Sequence, residues 1–121
     1  MTEKKKLIII GASGHGKVIA DMASSLEYKD IFFLDDNISN HHCMEFPVVG
    51  TSKDAVNFPD ADFIVAIGNA IVRERIQHEL SVAGLKITTL IHPKAIVSSR
   101  SKIEKGTVIM AGAVVNPDSI I

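Results

Sequence analysis

The residues best suited to chemistry lie in one short, glycine-rich segment near the N-terminus. Three glycines within six residues (Gly11, Gly14 and Gly16) stand beside a serine, a histidine and a lysine. Glycine tolerates positive φ angles and lets the backbone approach a ligand closely. Backbone N–H groups at the start of a helix attract anions. The segment therefore predicts a phosphate site, most simply that of a nucleotide.

Three templates compete for this segment. Its order, G-x-x-G-x-G, differs from the dinucleotide fingerprint G-x-G-x-x-G, because Ser13 stands where the second glycine belongs. The P-loop G-x-x-x-x-G-K-[ST] fits as far as Lys17, but Val18 cannot offer a hydroxyl to Mg²⁺. The third template is a divergent mononucleotide site with mostly backbone phosphate contacts. A turn that needs glycine only for packing is the structural alternative, and the adjacent histidine and lysine argue against it.

Polar side chains follow two of the predicted strands. Asp35 and Asp36 come about 20 residues after the glycine segment, where an acid can accept a ribose hydroxyl. Gly68 and Asn69 end the next strongly apolar run. Ligands of open α/β sheets lie at the carboxyl ends of the strands, so these residues are expected beside the glycine segment. Each also has a structural reading, since Asp and Gly favour turns and Asn69 can cap a helix.

Hydrophobic spacing predicts the elements that position these residues. Continuous aliphatic runs indicate strands buried on both faces, and apolar residues at helical spacing indicate helices between them. The predicted strands are 7–10, 30–34, 62–67 and 85–91, and the predicted helices are 18–26 and 71–82, with a brief helix capped by Ser52 between them. The apolar helix faces include Val18 and Ile71. This alternation predicts an α/β, Rossmann-like parallel sheet with flanking helices over residues 1–92.

Bulk properties exclude several classes of protein. The net charge of −1 attracts neither nucleic acid nor an anionic membrane. No apolar run is long enough to insert into a membrane, and the single Cys43 fits a reducing cytoplasm. His41, His42 and Cys43 suggest zinc, but adjacent ligands cannot converge from one extended segment. We therefore expect no metal, and a mobile loop over residues 37–47.

Beyond Pro93 the helical period gives way to a period of six. Aliphatic residues recur at Val97, Ile103, Ile109, Val115 and Ile121, with a small residue four places after each of the first four. This is the hexapeptide repeat of a parallel β-helix, whose flat faces turn after each hexad. Residues 93–121 are predicted to form its first, incomplete coils. So few hexads seldom stand alone, so further chain or partner chains are expected to cover the open end.

The motifs I-I-I-G-A-S-G-H-G-K, F-L-D-D, A-I-G-N and L-I-H-P, followed by hexads, resemble one family in this order. It comprises the acetyl-CoA-dependent sugar acetyltransferases of bacterial glycan synthesis. Within it, the chain resembles the UDP-4-amino-sugar N-acetyltransferases of the bacillosamine pathway and the sialic acid O-acetyltransferase type. The resemblance implies a left-handed β-helix, a homotrimer around a threefold axis and acetyl-CoA as co-substrate.

The resemblance also implies roles for individual residues. Ser13, Gly14 and His15 would meet the diphosphate and sugar, Asp35 and Asp36 would hold the uridine, and Gly68 and Asn69 would line the pocket. The family's catalytic base is a histidine on a later coil, and acetyl-CoA binds between neighbouring coils. No catalytic residue and no acetyl-CoA site are therefore expected in this chain, and His92, which precedes the first hexad, is not assigned that role.

The expected function is N-acetylation of a UDP-4-amino-sugar, with this chain as the substrate-binding N-terminal part, inactive by itself. One alternative is O-acetylation of sialic acid or another sugar. A second is a nucleotide-binding or assembly module without catalysis. A third is a P-loop phosphotransferase, which would require Mg²⁺ for nucleotide affinity.

Overall fold

The computed structural model describes residues 5–37 and 39–121, and its elements alternate between strands and helices over most of the chain. In chain order they are β1 (Lys5–Ile10), α1 (Gly14–Ala23), β2 (Tyr28–Leu34), β3 (His42–Cys43), β4 (Phe46–Pro47), a 3-10 helix (Ser52–Asn57), β5 (Asp62–Val65), α2 (Ala70–Val82), β6 (Lys86–Ile87), β7 (Leu90–Ile91), β8 (Ile96–Val97), β9 (Val108–Ile109) and β10 (Val114–Val115).

A four-stranded parallel sheet with the order β2-β1-β5-β6 forms the centre. The aliphatic run of β1 pairs on both sides, and its last four residues are almost completely buried. Such a run has no polar side chains to face water, so it must lie between two covered faces. The predicted α/β parallel sheet with flanking helices is confirmed.

Two apolar layers cover the sheet. Alternate β1 residues Leu7 and Ile9 pack with α1, whereas Ile8 and Ile10 pack toward α2 and the 3-10 helix. The alternation follows from the twofold side-chain period of a strand. Among the described residues, neither helix is long and apolar enough to cross a membrane.

Both helices differ in detail from the predicted apolar faces. Helix α1 begins at Gly14, so part of the predicted glycine turn is its first turn. Val18 is 47% exposed and Ile71 is 81% exposed, so their predicted burial is wrong. Each lies on the first turns of its helix, on a side that meets neither core layer. Helical spacing alone does not tell which edge of an apolar stripe the sheet covers.

The segment after β2 contains a hairpin where a mobile loop was predicted over residues 37–47, and residue 38 of that segment lies outside the described residues. Strands β3 and β4 form a short antiparallel hairpin, and Met44 at its tip has a positive φ of 57°. The 3-10 helix then begins one residue earlier than predicted, because Thr51 rather than Ser52 is the cap. Thr51 and Asp54 form a reciprocal capping box.

The predicted strand 85–91 is wrong as a single element. Strand β6 pairs with β5 in the central sheet, whereas β7 leaves that sheet and pairs with β9. Thr88 and Thr89 separate the two. The residues predicted as one strand are therefore divided between two sheets.

The C-terminal residues pair with one another in parallel at a constant offset of 18 residues. Leu90 pairs with Val108, Ile96 with Val114, and Lys102 with Ile120. Turns recur every six residues, at 93–94, 99–100, 105–106, 111–112 and 117–118. The chain therefore completes a circuit of three hexads before it lies beside itself. We call residues 89–121 the coil segment.

Candidate functional site

A glycine turn joins β1 to α1 and brings two strand ends together. Gly11 has a φ of +113°, and a Cβ atom there would lie 2.6 Å from the carbonyl oxygen of Ala66 at the end of β5. At Gly16 a Cβ atom would run into the carbonyl oxygen of Gly11 and lie 3.0 Å from the ring of Phe33. Both positions need glycine because the chain packs closely there. For these two glycines, the alternative of a turn that needs glycine only for packing is sufficient.

Gly14 is different, because a Cβ atom there would meet nothing within 4 Å. It is the first residue of α1, whose N-cap is Ser13. The first intrahelical bond runs from the N–H of Lys17 to the carbonyl of Ser13 over 2.9 Å. The N–H groups of residues 14–16 precede that bond and have no partner within the helix. The Ser13 side chain makes no capping bond, so this helix start is open to an anion.

An open cavity of about 260 Å³ lies beside this helix start. Four of the predicted site residues line it, namely Ser13, Asp35, Asp36 and Gly68. They come from the ends of β1, β2 and β5, as expected for the carboxyl edge of a parallel sheet. Ile10, Gly11, Ala66 and Ile67 complete the lining. The strand-end rule could have indicated Ala66 and Ile67, which directly precede Gly68.

The carboxylate of Asp35 holds the glycine turn in place. Its Oδ2 accepts from the N–H of Ala12 over 2.7 Å, and its Oδ1 accepts from the N–H of Asn37 over 2.8 Å. The side-chain amide of Asn40 also donates to Oδ2, over 3.3 Å. The N–H of Ala12 is therefore already hydrogen bonded to Asp35 and is not available to a phosphate. The sequence alone did not reveal this bond. Asp35 thus stabilises the turn through these hydrogen bonds and also lines the cavity.

Asp36 connects the same cavity to the 3-10 helix. Its Oδ1 accepts from the backbone N–H of Ser52 over 2.8 Å and from the Ser52 hydroxyl over 2.9 Å. Asp36 is exposed. A carboxylate has about four lone-pair sites, so Asp36 keeps acceptor capacity toward the cavity.

The remaining predicted residues lie outside the cavity lining. His15 is exposed on the first turn of α1, next to Gly14. Asn69 caps α2, because its Oδ1 accepts from the N–H of Val72 over 3.1 Å. That is the structural alternative considered for Asn69. A Cβ atom at the neighbouring Gly68 would meet nothing within 4 Å, so the cavity is open on that side.

The hairpin β3–β4 packs against the glycine turn. Cys43 is buried, and its Sγ lies 4.0 Å from the carbonyl oxygen of Ser13. Burial raises the pKa of the Cys43 thiol, so it stays protonated at neutral pH. Within residues 5–37 and 39–121, no group of three His, Cys, Asp or Glu side chains is arranged to hold a metal ion.

Comparison with known families identifies this architecture. Residues 6–80 match the family model described as the PglD N-terminal domain. The match includes all of β1 except its first residue, the glycine turn, both acids and most of α2. The chain belongs to the PglD N-terminal domain family. The resemblance read from the motifs is thereby confirmed.

Relatives of this PglD-type chain are longer than it is. It is 35% identical over 112 residues to the UDP-N-acetylbacillosamine N-acetyltransferase of Bacillus subtilis (strain 168), covering 88% of this chain and 52% of the relative. The chain therefore spans about half the length of the curated relative that it matches.

Two solved structures align over nearly the whole PglD-type chain. The acetyltransferase domain of PglB from Neisseria gonorrhoeae, in complex with acetyl coenzyme A, has a TM-score of 0.89 and 42% identity, with 98% of this chain and 58% of that chain covered. A variant of the perosamine N-acetyltransferase of Caulobacter crescentus, in complex with CoA and GDP-perosamine, has a TM-score of 0.87 and 27% identity, with coverage of 96% and 56%.

Proposed function

We propose that this chain is the nucleotide-sugar-binding N-terminal part of an acetyl-CoA-dependent N-acetyltransferase. Its substrate would be a UDP-4-amino-sugar of bacterial glycan synthesis, acetylated in the cytoplasm. The observation that carries the proposal is the uncapped start of α1 beside a cavity with two carboxylates. The named activity of the Bacillus subtilis relative supports the reaction.

The start of α1 is the proposed diphosphate site. The N–H groups of Gly14, His15 and Gly16 precede the first intrahelical bond, and the helix dipole favours an anion there by about 0.3–1 kcal/mol. The Ser13 hydroxyl, free of any capping bond, can donate to a phosphate oxygen. The exposed His15 next to it can reach the diphosphate or the sugar.

Asp35 and Asp36 are the proposed acceptors for the uridine ribose and base, with Gly68 and Asn69 at the other wall. Both acids already accept protein hydrogen bonds. These bonds orient the carboxylates before a ligand arrives, which lowers the entropic cost of binding. Asp36 is the more exposed acid and is the better candidate for a direct ligand contact.

The coil segment is the proposed first coil of a left-handed β-helix, with residue 92 as the approximate end of the nucleotide-binding part. The offset of 18 residues and the turn in every hexad support this reading. Ile96 and Val114 pair side by side and are 68% and 60% exposed, which supports packing against other copies in a homotrimer.

The chemistry itself would use groups outside this chain. In amide formation the sugar amine attacks the thioester, a general base removes the amine proton, and N–H groups stabilise the oxyanion. Acetyl-CoA would be the co-substrate, without a metal. The residues of this chain would bind the nucleotide and orient the amino-sugar, and none of them is proposed as the base.

Calorimetric titration with UDP and a UDP-4-amino-sugar tests the proposal, with CMP-sugar and NAD as controls. We expect saturable binding of the uridine compounds, and Ser13→Ala should weaken it about 10- to 100-fold through loss of a hydrogen bond to a charged group. Ser24→Ala, at the other end of α1, is the matched control and should change nothing. Absence of uridine binding by the folded chain would contradict the proposed uridine substrate.

A GDP-linked amino-sugar is the second candidate, favoured by the Caulobacter crescentus relative named with GDP-perosamine. Parallel titration with GDP and a GDP-sugar distinguishes the two. Tighter binding of the guanosine series would replace uridine in the proposal and leave the phosphate site unchanged.

A further inference from the structure

A partly buried polar cluster lies at the edge of the sheet opposite the candidate site. Tyr28, at the start of β2, donates its phenolic proton to Oδ2 of Asp62, at the start of β5, over 2.6 Å. Asp62 is 9% exposed and is the one buried charged side chain among the described residues. A buried carboxylate is tolerated only when it is hydrogen bonded, so Tyr28 is a needed partner.

The same hydroxyl reaches the point where the chain leaves the sheet. The Tyr28 oxygen lies 3.3 Å from the hydroxyl oxygen of Thr88. A phenol has one proton, so while Tyr28 donates to Asp62 it is Thr88 that donates to Tyr28. Thr88 directly follows β6, and its carbonyl accepts from the N–H of Gly106 in the coil segment over 3.1 Å. A polar chain thus connects β2 and β5 with the coil segment.

We propose that the Tyr28 hydroxyl is a positioning group that fixes the direction in which the coil segment leaves the nucleotide-binding sheet. Its catalytic consequence rests on the proposed function, since a sugar held at the glycine turn must meet groups carried by coils. Its structural consequence can be tested on this chain without any substrate.

Other contacts also hold the junction. The N–H of Thr88 donates to the carbonyl of Phe63 in β5 over 2.9 Å, which fixes the Thr88 backbone at one point. Leu90 is buried in the core beside α1, but apolar burial is not directional. The Nζ of Lys86 lies 3.6 Å from Oδ1 of Asp62, and the Lys86 side chain is 69% exposed, so this ion pair is a weak constraint. Hydrogen bonds lose strength steeply away from linear geometry, so the bonds of Tyr28 add a second directional constraint, which resists rotation about the first.

Space for such a rotation exists beside the cluster. A cavity of about 610 Å³ is lined by Tyr28, Asp62 and Thr88 on one side and by Leu90, Ile91 and Pro93 of the coil segment on the other. Without the polar link, the residues of the coil segment that line this cavity have open space on that side. On the side of the cavity, the hydroxyl rather than steric contact limits the angle.

The first experiment asks whether the cluster exists in solution. Tyr28 is the one tyrosine of a chain without tryptophan, so the absorbance of tyrosinate reports on it alone. Burial, followed by the bond to Asp62, raises the pKa of Tyr28. We expect the parent to titrate well above the ordinary value of about 10, Asp62→Asn to titrate lower, and Thr88→Val not to titrate lower. An ordinary midpoint in the folded parent would overturn the proposal.

The second experiment measures the angle. In a Cys43→Ser background, spin labels at Glu74→Cys on α2 and Asn116→Cys on the coil segment report one distance across the junction, and both positions are exposed. We expect Tyr28→Phe and Thr88→Val to broaden or shift the distance distribution. Thr88→Ser keeps the hydroxyl and should restore the parent distribution. Ser25→Ala, whose hydroxyl bonds within α1 and lines the same cavity, is the matched control.

Amide hydrogen exchange gives an independent check on the same variants. The Gly106 amide should exchange at least about 5-fold faster in Tyr28→Phe, in line with the loss of one hydrogen bond. The amides of β1 should keep their protection, which separates a moved junction from an unstable fold. Unchanged distances and unchanged Gly106 exchange in both variants would overturn the proposal.

The catalytic consequence is measured in a chimera in which residues 1–121 precede the remaining coils of the Bacillus subtilis relative. Tyr28→Phe should lower kcat about 10-fold or more through misplacement of the substrate, with KM for the nucleotide sugar unchanged. A lower affinity for nucleotide in this variant would contradict a positioning role. Failure of the parent chain to bind nucleotide would instead contradict the proposed function. The spin-label distances would still test the positioning role of Tyr28, because they need no substrate.

Discussion

At the scale of residues, the two acids after β2 have unequal structural roles. Asp35 takes the N–H of Ala12 inside the turn, whereas Asp36 bonds Ser52 at the surface. We expect Asp35→Asn to lower the free energy of unfolding by about 1.5–3 kcal/mol, the usual range for a hydrogen bond to a charged group. Asp36→Asn should cost less than about 1 kcal/mol, because its bonds are exposed. Urea denaturation of both variants tests this, and equal losses would contradict it.

The glycines of the turn also separate into two kinds. A methyl group at Gly16 runs into the Gly11 carbonyl, so Gly16→Ala should lower the free energy of unfolding by about 1–3 kcal/mol, as overpacking does. Gly14→Ala meets open space and should not destabilise the fold. If the phosphate approaches the start of α1, the same Gly14→Ala change should weaken nucleotide binding at unchanged melting temperature. Chemical denaturation and calorimetry on the pair separate packing from function.

Tyr28 makes stability depend on pH in the alkaline range. Its pKa is raised in the folded chain, so the folded state holds the proton more tightly than the unfolded state does. The corresponding stability is complete below the unfolded value of about 10 and is lost as the pH rises above it. We expect Tyr28→Phe to flatten this part of the unfolding free energy measured against pH. An equally steep decline in Tyr28→Phe would assign the loss to other groups.

At the scale of elements, one predicted strand turns out to supply strands to two sheets. The sequence predicts one strand over residues 85–91, between Gly84 and the stop at His92-Pro93, yet β6 and β7 pair with different partners. Pairing partners are set by contacts distant in sequence, which a local pattern does not contain. The period of six was informative because turns recur at that spacing in the coil segment.

The coil segment is held to the sheet by its first strand. Leu90 is 2% exposed in the core beside α1, whereas Ile96, one hexad later, is 68% exposed. We expect Leu90→Ala to lower the free energy of unfolding by about 2–5 kcal/mol, the range for large-to-small core changes. Ile96→Ala should change it by no more than about 0.5 kcal/mol. Urea denaturation of the isolated chain checks both, and a large effect of Ile96→Ala would point to self-association.

At the scale of the whole molecule, binding and catalysis are expected to separate. The chain should bind a uridine nucleotide independently of Mg²⁺, since Val18 occupies the hydroxyl position of a P-loop. It should not transfer acetyl groups, because loss of a general base alone costs about 10²–10⁴ in rate. Coupled assays of free CoA release, with the chimera as positive control, test this. Saturable acetyl transfer by residues 1–121 would refute it.

The sequence by itself determined the parallel α/β sheet, the glycine turn, the acids at the edge of the sheet and the period of six, because each is written in local spacing. The tertiary structure alone decided that Asp35 holds the turn, that Asn69 serves as a cap, and that Val18 and Ile71 face outward. It also brought Tyr28, Asp62 and Thr88 together from positions up to 60 residues apart. Such contacts depend on which strands become neighbours, and that choice is made by the packing of the whole chain.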